Sequence, residues 1–310
     1  MIFSVVIPVY NCKHCLVELC DKITKVMCNI TDSFEIIMVD DASPDNSWIL
    51  IESLANNSCN IKGILLSRNF GQHNAISAGL DCAIGDYVVI MDCDLQDNPE
   101  EIINLYNKVL EGFDYVSARR IARQDSFIRR IDSYLFSKMF NSLAEFGHDH
   151  TVANFAIYSQ KVIKNYRLIK EQVSPLSTFI RWMGFQGTTI EVQHSIRSQG
   201  NSSYTFKKLL RLAIASLISH SNKPLIYSIK LGGGLAFISF LYGFFIAAKY
   251  FLYGIPLEGW TSLIISIYLL GGLILIQLGI LGLYIARIFD EVKSRPSYLV
   301  SKTVGINKWV

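Results

Sequence analysis

The residues from Leu66 to Glu100, LSRNFGQHNAISAGLDCAIGDYVVIMDCDLQDNPE, decide the fold class of this chain. Helical periodicity runs from Gln72 to Ala83, and an apolar, β-branched run follows from Tyr87 to Asp92. Carboxylates stand where that run ends, at Asp92 and Asp94. A helix followed by a buried strand that ends in polar groups predicts an α/β unit with a ligand site at the carboxyl end of the strand.

The same alternation of strand and helix continues on both sides of this stretch. The other strand-like runs are Phe3 to Pro8, Glu35 to Asp40, Lys62 to Ser67 and Tyr115 to Ala118, and the other helical runs are Leu16 to Met27, Ser47 to Leu54 and Glu100 to Leu110. We therefore predict a Rossmann-like, mostly parallel sheet with helices on both faces. No GxGxxG follows the first strand, which argues against a dinucleotide cofactor.

Two apolar segments near the C-terminus, Leu231 to Ala248 and Thr261 to Ala286, contain no charged residue. A helix of roughly 20 apolar residues crosses a bilayer, and buried hairpins of soluble domains rarely run so long without a charge. We therefore predict two transmembrane helices rather than a core hairpin. No signal peptide is expected, because Met1 leads directly into the first strand-like run.

Basic residues flank both spans, whereas the loop between them offers Lys249 and Glu258. The flanking residues are Lys207, Lys208, Arg211, Lys223, Lys230, Arg287, Lys293, Arg295 and Lys302. The positive-inside rule predicts a multi-pass protein of the bacterial cytoplasmic membrane with its N-terminal domain and both termini in the cytoplasm. The net charge of +3 is too small to indicate a nucleic-acid partner.

Four segments follow from these patterns. Residues 1–204 are predicted as a cytoplasmic α/β domain, 205–225 as an amphipathic juxtamembrane helix, 226–290 as the transmembrane hairpin and 291–310 as a cytoplasmic tail. The amphipathic helix, from Thr205 to Ser221, either lies in the headgroup plane or packs on the soluble domain. The sequence leaves open whether the chain forms a homo-oligomer.

All seven cysteines fall between Cys12 and Cys93. A cytoplasmic location keeps thiols reduced, so we expect no disulfide framework. Cys12 and Cys15 form a CxxC pair that resembles half of a zinc site, but no second pair has a matching spacing. We therefore interpret them as ordinary thiols.

Asp92, Asp94 and Gln96 form a group of oxygen ligands directly after a strand. Two carboxylates and an amide oxygen suit a hard divalent cation, Mg²⁺ or Mn²⁺. Such a cation would offset the charge of a departing diphosphate. An isolated D-x-D occurs by chance in many long chains, so the motif gains weight only from its surroundings.

Three further motifs accompany the quoted stretch: Val6 to Asn11 (VIPVYN), Glu35 to Ser43 (EIIMVDDAS) and Arg197 to Tyr204 (RSQGNSSY). Together, and in this order before two apolar spans, they resemble family 2 glycosyltransferases of the GT-A fold. The group they resemble most contains dolichol-phosphate mannose synthase and bacterial undecaprenyl-phosphate glycosyltransferases. The resemblance covers nearly the whole chain.

The resemblance implies an inverting transfer of a sugar from a UDP-, GDP- or dTDP-linked donor to a polyprenyl phosphate, for polysaccharide assembly such as that of O-antigen. It implies a divalent metal on Asp92, Asp94 and Gln96, with Asp94, Arg130 and Asn154 as catalytic residues. The implied donor-binding residues are Pro8, Val9, Asp41, Arg68, Asp92, Arg119, Arg197, Ser202 and Tyr204, and Arg123 and Ser133 match the same pattern. By composition alone, Asp41 could equally cap a turn, and each arginine could be a surface charge.

Three family positions are altered. Cys12 replaces the usual Glu, and Asn154, Phe155 and Ala156 replace Asp-Phe-Arg. The lost Asp is the general base that the resemblance implies, and an amide cannot take up a proton as a carboxylate does.

Two acceptors therefore remain open. A phosphate acceptor, with a second pKa of about 6, attacks without a base, and we favour it. A sugar hydroxyl on a lipid-linked glycan requires a base, for which His148 and Asp149 are candidates. A non-catalytic scaffold that binds nucleotide sugars is the reading from another functional class.

Overall fold

The computed structural model describes residues 1–120, 152–169, 176–192, 223–253 and 259–306. Its strands are β1 (Phe3–Val9), β2 (Phe34–Asp40), β3 (Ile61–Leu66), β4 (Tyr87–Ile90), β5 (Tyr115–Arg120), β6 (Val152–Ser159), β7 (Gly187–Val192) and β8 (Val300–Val304). Its helices are α1 (Leu16–Ile30), α2 (Ser47–Asn57), α3 (Gln72–Cys82), α4 (Glu101–Val109), α5 (Gln160–Tyr166), α6 (Leu176–Trp182), α7 (Lys223–Tyr253) and α8 (Trp260–Val292). The predicted strand and helix runs of the first 120 residues are confirmed, with shifts of a few residues at their ends.

The centre of the sheet is apolar and parallel. Every residue of β1 and β2 is buried, as expected for strands covered by helices on both faces. Two separate apolar clusters form the core, one on each face of the sheet. The α/β fold with a mostly parallel centre is therefore confirmed.

The eight strands lie in the order β7-β5-β6-β4-β1-β2-β3-β8. The pairs β1–β2, β2–β3, β1–β4 and β5–β7 are parallel, whereas β4–β6, β5–β6 and β3–β8 are antiparallel. The chain runs outward from β1 to β3 and then crosses to β4 on the other side of β1. This reversal makes the carboxyl ends of β1 and β4 a topological switch point, where α/β sheets open a ligand crevice.

Helix α3 lies unusually close to β1. A Cβ atom added at Gly79 would stand 2.3 Å from Val6 Cγ1, a distance that no side chain tolerates. Ala75 and Ala78 on the same helix are also fully buried. These small residues let α3 pack against the sheet, with its first residue, Gln72, at the carboxyl edge.

The C-terminal residues return to the sheet. The predicted cytoplasmic tail, residues 291–310, contains β8, which pairs with β3 from Gly63 opposite Val304 to Leu66 opposite Val300. Residues 296–306 belong to the same compact unit as β1 to β7.

A second compact unit contains α7 and α8, which have 31 and 33 residues. Both helices are long and apolar enough to cross a membrane, over Leu225–Phe245 and Ser266–Val292. Where the structure describes these two segments, their apolar side chains lie on the protein surface rather than in its core. The predicted amphipathic helix from Thr205 to Ser221 lies outside the described residues.

Candidate active site

Four loops meet at the carboxyl edge of the central strands. The amide of Asp41 donates to the Val9 carbonyl at 3.0 Å, and the amide of Met91 donates to the Val6 carbonyl at 3.1 Å. The loops after β1, β2 and β4 therefore leave the sheet side by side. The structure places Pro8 and Val9, two predicted donor residues, at the end of β1, opposite Val39 and Asp40 of β2.

The loop after β2 fixes the loop after β1. Ser43 Oγ accepts the Asn11 amide at 2.7 Å, and Asp45 Oδ2 accepts the Lys13 amide at 2.9 Å. Burial by itself would raise the pKa of Asp45, but hydrogen bonds from Ser43 and Ser47 lower it to about 2. Asp45 is therefore ionised at neutral pH and binds three neighbouring groups.

Asp41 binds the next loop along the sheet. Its two carboxylate oxygens accept the amides of Phe70 and Gly71 at 2.7 and 2.9 Å. Asp41 is 2% exposed, and burial raises its pKa, although these amides partly offset the shift. The Arg68 guanidinium stacks 4.2 Å from the centre of the Phe70 ring. Asp41 thus holds the segment that carries Arg68, and its contact with a donor stays a prediction.

The predicted metal ligands lie together in the loop after β4. Asp92, Asp94 and Gln96 are all partly exposed, and Leu95 between them has a φ of 57°. Asp94 Oδ1 accepts the Gln96 amide at 3.1 Å. The positive φ at Leu95 makes the chain turn sharply, which brings residues 94 and 96 together.

The sequence analysis missed Gln72 as a site residue. Its side-chain amide donates to Asp92 Oδ1 at 2.7 Å, which orients the carboxylate. In the part of the chain that the structure describes, no group of three or more His, Cys, Asp or Glu could hold a metal. Two carboxylates and an amide suit Mg²⁺ or Mn²⁺, because such ions take their remaining ligands from phosphates and water.

Asn154 lies in β6, beside β4. Ile90 is paired with Ala156 in antiparallel register, so continuing the register by two residues brings Asn154 level with Asp92. Asn154 is half-buried. The residue that replaces the implied base therefore stands at the same sheet edge as the candidate metal ligands.

The arginine predictions are only partly covered by the structure. Arg119 lies exposed near the end of β5, opposite Val152 of β6. The remaining predicted residues lie outside the described residues: Arg123, Arg130, Ser133, His148, Asp149, Arg197, Ser202 and Tyr204.

The expectation that all cysteines are unpaired is wrong. Cys12 and Cys93 form a disulfide with their Cα atoms 6.3 Å apart. Cys12 follows β1 and Cys93 stands between Asp92 and Asp94, so the two are distant in sequence but adjacent at the switch point. The other five cysteines are unpaired thiols, including Cys15, which contradicts a zinc role for the CxxC pair in this state.

Comparisons with known proteins agree with this geometry. The model of glycosyl transferase family 2 matches residues 4–167. An uncharacterized glycosyltransferase of Bacillus subtilis, YkcC, is 32% identical and covers 98% of this chain and 94% of its own length.

Two further relatives have names that include the acceptor. An undecaprenyl-phosphate 4-deoxy-4-formamido-L-arabinose transferase of Shewanella sediminis is 37% identical, over 96% of this chain and 91% of that protein. A prophage-derived bactoprenol glucosyl transferase of Shigella flexneri is 34% identical, over 98% of both chains.

Proposed function

The chain belongs to glycosyl transferase family 2, and we propose that it is a metal-dependent inverting glycosyltransferase that moves a sugar from a nucleotide sugar to a polyprenyl phosphate. The observation that carries this proposal is the position of Asp92, Asp94 and Gln96. They occupy the loop after β4, at the point where an open α/β sheet binds its ligand. The names of two relatives, which this chain matches over nearly its full length, favour the polyprenyl acceptor.

The loop after β4 would hold Mg²⁺ or Mn²⁺ through its two carboxylates and the Gln96 amide oxygen. A bound divalent cation neutralises charge that develops on the departing diphosphate. Gln72 orients the Asp92 carboxylate through a hydrogen bond, which aims one proposed ligand toward the metal. Fixed geometry of this kind supplies much of the rate in phosphate and glycosyl chemistry.

The loops after β1 and β2 would form the nucleoside end of the site. Pro8 and Val9 end β1, and Asp41 holds the segment that carries Arg68. The planar guanidinium of Arg68 can pair with phosphate oxygens in a bidentate manner. In this proposal Arg119, Arg130, Arg197, Ser202 and Tyr204 complete the phosphate contacts.

Asn154 would orient the acceptor rather than take its proton. A lipid phosphate is largely ionised at neutral pH, so it attacks the anomeric carbon without a general base. The side-chain amide of Asn154, which lies beside the loop after β4, can donate one hydrogen bond to such an anion. The acceptor's hydrocarbon tail would stay in the bilayer that α7 and α8 span.

The test is a transfer assay with the purified full-length protein. Undecaprenyl phosphate and a panel of UDP-, GDP- and dTDP-sugars are supplied with Mg²⁺ or Mn²⁺, and the lipid product is identified by mass spectrometry. We expect one glycosyl phosphate lipid and no product in EDTA. Full activity in EDTA would exclude the metal role, and transfer only to a lipid-linked monosaccharide would exclude the phosphate acceptor.

Two variants test the proposed metal site in the loop after β4. Asp94→Ala should lower transfer at least about 100-fold, because it removes a metal ligand that acts on the leaving group. Glu100→Ala is the control, since Glu100 is an exposed residue just beyond the same loop. Equal rates for both variants would contradict the assignment.

A further inference from the structure

The disulfide between Cys12 and Cys93 lies at the sheet edge where the proposed donor would bind, and it joins the loop after β1 to the loop that carries Asp92 and Asp94. We propose that this pair is a thiol–disulfide modification site, oxidised by low-molecular-weight disulfides, that closes the donor crevice when bonded and opens it when reduced. The proposal rests on the proposed function of this crevice. It assigns a role to Cys12, the residue that departs from the family resemblance.

The position of the two cysteines carries the proposal. Cys12 follows β1, three residues after Val9, and Cys93 separates the two carboxylates of the metal loop. β1 and β4 are the adjacent strands at which the sheet order reverses. The bond therefore ties the loop after β1 to the loop that carries Asp92 and Asp94, and both sulfur-bearing side chains pack in the apolar cluster on one face of the sheet.

The distance explains why the bond closes the site. The two Cα atoms are 6.3 Å apart, within the usual range for a disulfide, and only the two side chains fit between them. A diphosphate that reaches Asp92 and Asp94 from the nucleoside end must pass beside this bond. In the reduced state the loop after β4 is no longer tied to the loop after β1, so the carboxylates can move outward around a metal and diphosphate.

The surroundings of the pair make exchange with a small reagent feasible. Cys12 and Cys93 are 4% and 8% exposed, but Tyr10, Asn11 and Lys13 beside Cys12 are all exposed. If the catalytic domain faces the cytoplasm, as proposed, its thiols meet a reducing pool, and disulfides there are mostly transient or regulatory.

The chemistry balances with a small disulfide as the oxidant. One protein sulfur attacks RSSR, forms a mixed disulfide and releases RSH. The second protein sulfur then displaces the other RS group, which leaves as a second RSH. The two cysteines lose two protons and two electrons, and the reagent gains them. Excess small thiol runs the same steps backward.

The experiment compares redox states of the full-length protein. Wild type is reduced with dithiothreitol or oxidised with oxidised glutathione, freed of reagent, and the remaining thiols are counted by alkylation and intact mass. The two readouts are Mn²⁺ binding in the presence of UDP or GDP, followed by electron paramagnetic resonance, and sugar transfer. We expect the oxidised form to bind Mn²⁺ more weakly and to transfer about 100-fold more slowly, because displacements of about 1 Å at a reacting centre cost that much.

Matched variants separate this pair from the other thiols. Cys12→Ser should lack the bond and keep the properties of the reduced protein in either reagent. Cys28→Ser and Cys59→Ser, which remove exposed unpaired thiols, should respond to oxidation as wild type does. Cys12→Ala provides a second variant in case serine disturbs the loop.

The outcomes distinguish this proposal from the proposed function. A bond confirmed by mass with no change in Mn²⁺ binding or transfer would overturn the inference, as would failure of the bond to form. If the reduced protein transfers no sugar from any donor, the proposed function fails, and Mn²⁺ binding in the two redox states still decides the inference.

Discussion

Asp40 and Asp41 are adjacent in sequence but differ in what surrounds them. Asp41 accepts two backbone amides from the loop after β3, whereas Asp40 is 1% exposed and accepts the Ser43 amide at 2.7 Å. Burial raises the pKa of Asp40 to about 6, and the Ser43 amide only partly opposes the shift. Asp40 is therefore a buried hydrogen-bond acceptor, and ionisation of its carboxyl group destabilises the folded protein near neutral pH.

This difference predicts a pH dependence of stability. Because the folded pKa of Asp40 lies above its unfolded value, its contribution is complete below about pH 4 and is lost as the pH rises through about 6. Asp40→Asn keeps an acceptor for Ser43 and should flatten the decline in melting temperature between these values. Burial also raises the pKa of Asp41 and Asp81, so part of the decline should remain. The melting temperature at each pH is measured by thermal unfolding, with tryptophan fluorescence as the signal.

The control for this experiment is Asp21→Asn, since Asp21 is exposed on α1. The control should unfold with the wild-type pH dependence. An Asp40→Asn protein with an unchanged profile would show that Asp40 is not the group responsible.

Asn154 distinguishes the two acceptors. If the acceptor is an ionised lipid phosphate, Asn154→Ala should cost about tenfold in transfer, about 1.4 kcal/mol, the size of one lost hydrogen bond. Asn154→Asp should be tolerated, because it restores the residue that the family resemblance implies. Transfer by wild type should also fall below about pH 6, as the acceptor phosphate gains its second proton.

The competing outcome involves a general base elsewhere. With a sugar hydroxyl as the acceptor, His148→Ala or Asp149→Ala should reduce the rate by about 10² or more. All four variants are measured with undecaprenyl phosphate and with a lipid-linked monosaccharide. Dependence on His148 or Asp149 together with transfer to the monosaccharide alone would contradict the phosphate acceptor.

The sequence revealed the site residues that are close together in the chain. Asp92, Asp94 and Gln96 share one loop, so their pattern is visible without a structure. Gln72 reaches Asp92 across 20 residues, and Cys12 meets Cys93 across 81. Such pairs depend on which strands become neighbours, and periodicity does not report strand order.

At the level of elements, two hydrogen bonds just before β8 link the C-terminal residues to the rest of the sheet. Tyr298 Oη donates to Asp81 Oδ2 at 2.5 Å, and the Leu299 carbonyl accepts the Ser67 amide at 2.8 Å. Burial raises the pKa of Asp81, while the Tyr298 hydroxyl lowers it in part. The contact holds the end of α3 and the start of β8 together on one side of β3.

A double-mutant cycle measures this contact. Tyr298→Phe should destabilise the domain that contains the sheet by up to about 1 kcal/mol, because a hydrogen bond to a solvent-exposed carboxylate is lost. Asp81→Ala in the Tyr298→Phe background should add less than it does alone, since the partner is already missing. Urea unfolding gives the four free energies, and fully additive effects would show that the two side chains are not coupled.

The central strands could be predicted from sequence, but the edges of the sheet could not. β1 and β2 are continuous apolar runs because helices cover both of their faces. β7 and β8 lie at the two edges and are mostly exposed or half-buried, with polar residues such as Ser301, Lys302 and Thr303 in β8. Edge strands are held by backbone pairing, which leaves a weak pattern in the side chains.

At the scale of the whole molecule, the lengths of α7 and α8 support the membrane proposal. At 1.5 Å per residue, helices of 31 and 33 residues exceed the roughly 30 Å of hydrocarbon. If both helices cross a bilayer, as proposed, their ends reach the headgroup region on each side. Arg287 and Lys293 lie at the C-terminal end of α8 and immediately beyond it, where cations interact with anionic lipids.

The orientation of the hairpin is the last prediction. Positive flanks before α7 and after α8 predict that residues 201 and 310 face the cytoplasm and that Leu257 lies on the other side. Leu257→Cys should react with a membrane-impermeant maleimide in cells with a permeable outer membrane. The exposed thiols of Cys28 and Cys59 are internal controls, because they should react only after the inner membrane is opened. Labelling of these thiols before the inner membrane is opened, or labelling at position 257 only afterwards, would show the opposite topology. The donor site would then face away from cytoplasmic nucleotide sugars.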